Sequence, residues 1–152
     1  MSLQSVREFF AEHAPDITII ELEQSTATVA QAAAAHQVEP GQIAKTLSLK
    51  IKDKAILVVA KGDARLDNKK LKETFGAKAR MLSSDEVVIL TGHPVGGVCP
   101  FGLENPLDVY CDVSLQQYEE VLPAAGGTHS AVRISPQRMA SLTAATWVDV
   151  CQ

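Results

Sequence analysis

The residues of this chain best suited to chemistry lie in the stretch TGHPVGGVCPFG, residues 91–102, where four glycines and two prolines fall within twelve positions. Glycine lets a ligand approach the main chain closely. Proline fixes its own φ and restricts the residue before it. A stiff loop of this composition aims N–H groups at one point. Such donors suit a phosphate, or a carbonyl oxygen that turns negative during ester cleavage. The same composition also fits a long connection with ordinary turn chemistry. The loop holds neither GxGxxG nor GxxxxGK[ST], so no nucleotide fingerprint applies.

A second candidate is Lys45. The run IAKTLSLKI, residues 43–51, reads as a strand. Alternation puts Ile43, Lys45, Leu47, Leu49 and Ile51 on one face, and Ala44, Thr46, Ser48 and Lys50 on the other. Lys45 is then the lone charge on an apolar face. An inward lysine is costly unless something anionic meets it. The structural alternative is a lysine near the strand end that reaches out to water.

Other chemistries find less support. A cysteine hydrolase needs Cys99 beside a histidine base. His93 and His129 are available, but nothing in their spacing brings either to Cys99, and a cysteine before proline in a turn is more often structural. No G-x-S-x-G supports a serine triad. His13, His36, His93 and His129 are scattered singly, so no metal site is expected, and no cofactor.

These residues need elements to position them. Ser5 and Glu8 read as a capping box for a first helix that runs to about residue 14 and stops at Pro15. Residues 17–22 read as a strand. Thr28 and Gln31 form a second capping box before an alanine-rich helix. Residues 43–51 and 55–60 form a hairpin about Lys52-Asp53-Lys54. Asp67 caps a helix stopped by Gly76, with Leu66 and Leu71 as a hydrophobic staple. Residues 77–81 form a short strand, and Ser83 with Glu86 caps a helix ending at Gly92. Strands follow at 107–113, 121–125 and 131–134, the last two joined by Gly126-Gly127-Thr128-His129-Ser130. Ser135-Pro136 opens a final helix, and residues 147–150 form a terminal strand. The order lacks a βαβ rhythm, which predicts a mixed sheet, closed into a barrel in one reading.

The chain has 152 residues, 46% hydrophobic and 21% charged, the balance of one globular domain. No apolar run approaches a membrane span, and the first residues lack a signal-peptide pattern. Cys99, Cys111 and Cys151 are few, odd in number and without a CxxC, which predicts a reduced, cytoplasmic setting. Net charge is −4, but 11 of the 14 Lys and Arg fall in residues 45–80 against only Asp53, Asp63, Asp67 and Glu73. A basic stripe on an acidic body can hold a phosphate backbone. Lys61, Arg65, Lys69, Lys70 and Lys72 are its candidate phosphate-facing members; the alternative is a solvated lysine-rich face.

Four blocks together resemble the YbaK/EbsC family: IAKTL around Lys45, GDARLDNKKLK at 62–72, GHPVGGVCPFG at 92–102 and GGTHSAVRIS at 126–135. That family includes free-standing aminoacyl-tRNA deacylases and the editing domain of bacterial prolyl-tRNA synthetases. The resemblance implies an α/β fold of α+β type, a single editing domain over residues 1–152. Its sheet would be mixed, mostly antiparallel and barrel-like, surrounded by short helices. It implies hydrolysis of the ester of mischarged aminoacyl-tRNA, most often tRNA(Pro) carrying a wrong small amino acid, with prolyl-tRNA synthetase as a candidate partner. The family lysine would fall on Lys45, and the G-x-x-x-P loop on Gly96, Gly97, Val98, Cys99 and Pro100. A later glycine turn would fall on Gly126 and Gly127, with His129 near a substrate-facing position. Lys45, Gly96 and Gly97 would carry the catalysis. Thr46, Val98, Cys99, Pro100, Gly126, Gly127 and His129 would bind substrate. A non-catalytic module that binds tRNA ends or a small ligand is the alternative.

Overall fold

The computed structural model describes residues 2–152. In chain order the elements are α1 (Ser2–His13), β1 (Ile20–Glu21), α2 (Val29–His36), β2 (Ile43–Ile51), β3 (Lys54–Lys61), α3 (Asn68–Phe75), β4 (Ala79–Met81), α4 (Ser84–Thr91), β5 (Asp108–Asp112), β6 (Leu122–Pro123), β7 (Ser130–Ala131), α5 (Pro136–Thr143) and β8 (Thr146–Val148). Single 3-10 turns occupy Pro40–Gln42 and Val113–Gln117. Among the described residues no helix is long and apolar enough to cross a membrane.

Local chemistry accounts for most of the boundaries. Thr28 accepts from the Gln31 N–H, and the Gln31 side chain accepts from the Thr28 N–H in return, so α2 starts on a full capping box. Asp67 accepts from the N–H groups of Lys69 and Lys70 at the start of α3, and Gly76 closes it at φ 77°. Ser83 and Glu86 cap α4 reciprocally. Ser135 caps α5 with Pro136 at its first position. The expected capping box at Ser5 does not form. Helix α1 already begins at Ser2, and the Ser5 hydroxyl donates to the Ser2 carbonyl one turn back. The apolar stripe Val6–Phe10 therefore starts inside the helix.

The main sheet runs β4-β2-β3-β5-β8, with β6 also pairing β2. The β2–β3 hairpin is its longest ladder, antiparallel from Ala44↔Lys61 to Ile51↔Lys54. Strand β4 adds antiparallel to β2, while β5, β6 and β8 add in parallel. The sheet is mixed, as expected, but it is not closed into a barrel. Its ends, β4 and β8, are three-residue strands that do not pair with each other. Closure demands tilted strands with a continuous stagger around the ring, which such short edges do not supply.

Three expected strands are shorter than their apolar runs. The 17–22 run keeps only β1, which pairs with β7 outside the main sheet. The 121–125 and 131–134 runs touch through isolated bridges Val121↔Ile134 and Ala124↔Ala131, but their ladders go to different partners. These residues are apolar because they enter the core, where Val121, Val132 and Ile134 are buried.

The core sits on both faces of the hairpin. On one face, Ala44, Leu57 and Val59 pack with Val6 and Phe10 of α1 and with Cys99 and Phe101 of the glycine-rich loop. The Phe10 and Phe101 rings lie 4.7 Å apart. On the other face, Leu49, Ile51, Ile56 and Val58 pack under Leu71 of α3. Each fully buried Leu or Phe stabilises the fold by about 1.5–3 kcal/mol.

Candidate active site

The outer edge of β2 is used twice. Strand β6 pairs with Ile43 and Ala44, and β4 pairs from Leu49 to Ile51. The Leu82 N–H extends the second contact to the Ser48 carbonyl (3.0 Å). Neither ladder reaches residues 45–47, so a notch opens in the sheet edge. Main-chain groups alternate between the two sides of a strand. Because Ser48 points its carbonyl to this edge, Thr46 points its own N–H and C=O into the notch.

A cavity of about 270 Å³ fills the notch. The β2 residues Lys45, Thr46 and Ser48 line it on one side. The lead-in to α2 (Thr26, Ala27) and His36 at its end line another, with Met81 of β4, Leu82 just after it and Val87 of α4. Val95, Gly96 and Val98 of the glycine-rich loop close it, opposite Ala124 and Ser130. Most of its wall is apolar, with a few polar groups, the usual make-up of a small-molecule site.

Two glycines of the loop are there for close approach. Gly96 has φ 91°, and a Cβ there would stand 2.8 Å from the Ala27 Cβ. A Cβ on Gly97 would stand 2.8 Å from the Gly127 main-chain nitrogen. The Gly97 carbonyl accepts from the Gly126 N–H (3.1 Å), which ties the loop to the 126–130 turn. The Gly97 N–H donates to the Pro94 carbonyl (2.9 Å) and is thus occupied. Among the described residues, the N–H groups of Gly96 and Val98 have no hydrogen-bond partner. The unpaired main-chain donors therefore flank Gly97 rather than belong to it, and Gly97 itself packs the loop.

Lys45 lines the cavity, and its ammonium donates to the Ala64 carbonyl in the loop after β3. Burial lowers its pKa, with Asp63 among the charges that oppose the shift. Within the chain the hydrogen-bond partner of Lys45 is thus a neutral main-chain carbonyl rather than an anion. Thr46, which alternation puts on the opposite face of β2 from Lys45, lines the same cavity.

Several sequence-expected residues lie elsewhere. Cys99 is 0% exposed, inside the main core, and does not line the cavity. Pro100 is buried beside it. Gly126 and Gly127 support the loop from behind. His129 is exposed, its Nδ1 2.9 Å from the Thr128 hydroxyl, and does not line the cavity either. Packing against the loop explains Gly126 and Gly127, because the turn they form is what Gly97 rests on.

Spacing gave no reason to place Cys99 beside a histidine, yet the fold does: its Sγ lies 3.6 Å from His93 Nε2. The environment nonetheless opposes nucleophilic chemistry. Both side chains are 0% exposed. Burial pushes the Cys99 thiol up to about 12, and burial also lowers the His93 pKa. His93 Nε2 lies 2.7 Å from the Phe101 carbonyl, an acceptor, so that nitrogen carries the proton and donates. A neutral thiol beside a proton-bearing nitrogen has no base to activate it. Cys99→Ala should therefore retain most of any activity of the cavity. Loss of all turnover in a folded variant, or a trapped acyl-thioester, would restore the cysteine reading.

The basic stripe divides. Lys70 is tied to the C-terminal segment through Asp149 (3.1 Å) and the Cys151 carbonyl (2.8 Å). Lys61 contacts Asp63 (3.4 Å) and Gln117 (3.1 Å). Arg65, Lys69 and Lys72 are exposed, and among the described residues their side chains form no ion pair. Sequence reasoning missed His36 and Ser130 as lining residues. Ser130 lay inside a singled-out block, whereas His36 had no signal beyond its type.

The aminoacyl-tRNA editing domain family matches residues 23–142. The Bacillus subtilis protein YwhH, itself uncharacterized, is 47% identical over the whole of this chain and 98% of its own length. The proline–tRNA ligase of Moorella thermoacetica is 31% identical over 82% of this chain, which spans only 22% of that ligase. Among solved structures, a candidate trans-editing enzyme for prolyl-tRNA synthetase superposes with a TM-score of 0.91 at 34% identity, over 99% of this chain and 97% of the other.

Proposed function

This chain belongs to the aminoacyl-tRNA editing domain family, and we propose on that ground that it hydrolyses the ester of mischarged aminoacyl-tRNA, acting as one editing domain. The first tRNA to consider is tRNA(Pro) carrying a wrong small amino acid, given the likeness to prolyl-tRNA ligases and to the candidate trans-editing enzyme. Such a substrate places the protein with translation, in the cytoplasm, and makes prolyl-tRNA synthetase a natural partner.

One observation carries the reading: Lys45, Thr46, Gly96 and Val98, from two separate sequence blocks, line one cavity. Water adds to the ester carbonyl, and the carbonyl oxygen becomes negative. The free N–H groups of Gly96 and Val98 are the donors that stabilise it, each worth a factor of about 100 or more where such donors are preorganised. The C–O bond to the terminal ribose then breaks. The amino acid leaves as a free acid, and the ribose oxygen takes the proton from the attacking water. A hydroxyl of the substrate positions that water. Where the amino acid is cysteine, its own thiol is an alternative nucleophile. Lys45 orients the aminoacyl adenosine or anchors a phosphate.

The test is ester loss from a panel of mischarged tRNA(Pro) species incubated with the full chain. Turnover of at least one is expected. Stable esters throughout, with tight binding of the same tRNAs, would replace the enzyme by a binding module.

Arg65, Lys69 and Lys72 are the docking cations of this reading. Replacing Lys69 and Lys72 by alanine should weaken tRNA binding and flatten its log–log salt slope by about 1.4–1.8, at about 0.7–0.9 per phosphate contact. Hydrolysis of a minimal aminoacyl-adenosine ester should be spared. A double variant with the original slope would leave α3 as a solvated face.

A further inference from the structure

Three polar side chains around the cavity lack the partner that burial demands. His36 Nε2, Thr46 Oγ1 and Ser130 Oγ are shielded from solvent, and none has a hydrogen-bond partner among the described residues. Folded proteins rarely leave buried polar atoms unpaired, because the desolvation cost is then uncompensated. Here all three belong to residues that line the same cavity of about 270 Å³. They come from separate elements: the last turn of α2, the middle of β2 and strand β7. Ser130 is only 2% exposed, and its hydroxyl is shielded from solvent. Around them the wall is apolar, from Val29, Ile43, Leu82, Val87 and Leu122. A shared ligand group explains three coincident orphans more simply than three separate accidents.

Resting on the deacylase reading, we propose that His36, Thr46 and Ser130 select an aminoacyl group whose side chain carries a hydroxyl, serine or threonine, over apolar side chains of equal size. A hydroxyl both donates and accepts, and so do the Thr46 and Ser130 hydroxyls. Burial lowers the His36 pKa, with Arg133 adding to the shift. The ring is therefore neutral, with one donor and one acceptor nitrogen. A serine or threonine side chain can thus be met in either direction. A methyl group in its place leaves the buried polar atoms unpaired. Sites built to bond a hydroxyl reject such analogues far more strongly than apolar pockets reject an added hydroxyl. A thiol is a weaker donor, so cysteine is disfavoured relative to serine. The α-ammonium is common to all the esters, so pairing with it would give no such preference.

One tRNA charged with serine, threonine, 2-aminobutyrate or valine tests this, because each pair exchanges hydroxyl for methyl at nearly constant volume. Wild-type kcat/KM should favour seryl over 2-aminobutyryl, and threonyl over valyl, by at least about a hundredfold. Thr46→Val, Ser130→Ala and His36→Leu should each cut that ratio by about tenfold or more, and Thr46→Ser should preserve it. Thermal melts identify variants that fail to fold, and the Thr46 pair decides if another does. A wild-type ratio near one, or a ratio unchanged in all three variants, overturns the selection while the deacylase stands. If none of the four esters is hydrolysed while an alanyl or cysteinyl ester of the same tRNA is, the selection falls and the deacylase stands; if no ester is hydrolysed, both readings fall.

Discussion

Gly97→Ala should lower ester hydrolysis by at least about a hundredfold, the scale on which a preorganised oxyanion donor is lost. The added Cβ would stand 2.8 Å from the Gly127 nitrogen and 3.0 Å from the Gly126 and Gly127 carbonyl carbons. All three are main-chain atoms, so no flexible side chain can give way. The loop must move off the 126–130 turn, which stretches the Gly126 N–H to Gly97 carbonyl bond of 3.1 Å. Gly96 and Val98 are covalent neighbours of Gly97, so their free N–H groups move with it. Catalytic donors tolerate little displacement. The measurement is kcat/KM on a mischarged tRNA, beside a thermal melt that establishes folding. A folded Gly97→Ala protein with wild-type kcat/KM would separate the loop–turn contact from the chemistry.

Lys45→Ala should lower kcat/KM by at least about tenfold, or 1.4 kcal/mol of barrier, in a protein that still folds. The side chain does two things at once. Its stem forms part of the cavity wall, and its ammonium holds the Ala64 carbonyl. Lys45→Met keeps the stem and removes the charge, so it isolates the ammonium. The sign of the pKa shift predicts how stability responds. Burial lowers the pKa, so folding disfavours the charged form. That cost is fully present below the folded pKa and fades as pH rises through it toward the unfolded value. Lys45→Met removes the cost altogether, so a neutral-pH melt should show little loss of stability even as activity falls. Near-normal turnover in folded Lys45→Met would take the ammonium out of the mechanism.

Much of the scaffold was legible because its signals are local. The alternation of residues 43–51 predicted β2 with both its ends, since a strand's two faces repeat every second residue. Asp67 with Gly76, Ser83 with Glu86, and Ser135 with Pro136 bounded α3, α4 and α5, because caps are satisfied within one turn of chain. The same local logic misread Ser5, whose capping pattern is real but falls inside a helix that starts earlier. The composition of residues 91–102 likewise announced a loop built for close main-chain approach.

Contacts between distant segments decided the remainder. The sequence by itself determined the β2–β3 hairpin, the capped starts of α2 to α5, and which blocks signal the editing family. Only the tertiary structure decided that β6 and β4 share one edge of β2 and leave Thr46 in the gap between them. That sharing turns an edge into a cavity, and no periodicity encodes it. The fold also decided that Cys99 and His93 meet in a dry core, and that Pro94 takes the Gly97 N–H. It further decided that Lys70 is spent on Asp149, and that His36 and Ser130 are stranded without partners in the same pocket. Whether a polar atom is paired depends on what residues far along the chain bring to it, so a residue's type and spacing announce its capacity while packing assigns its use.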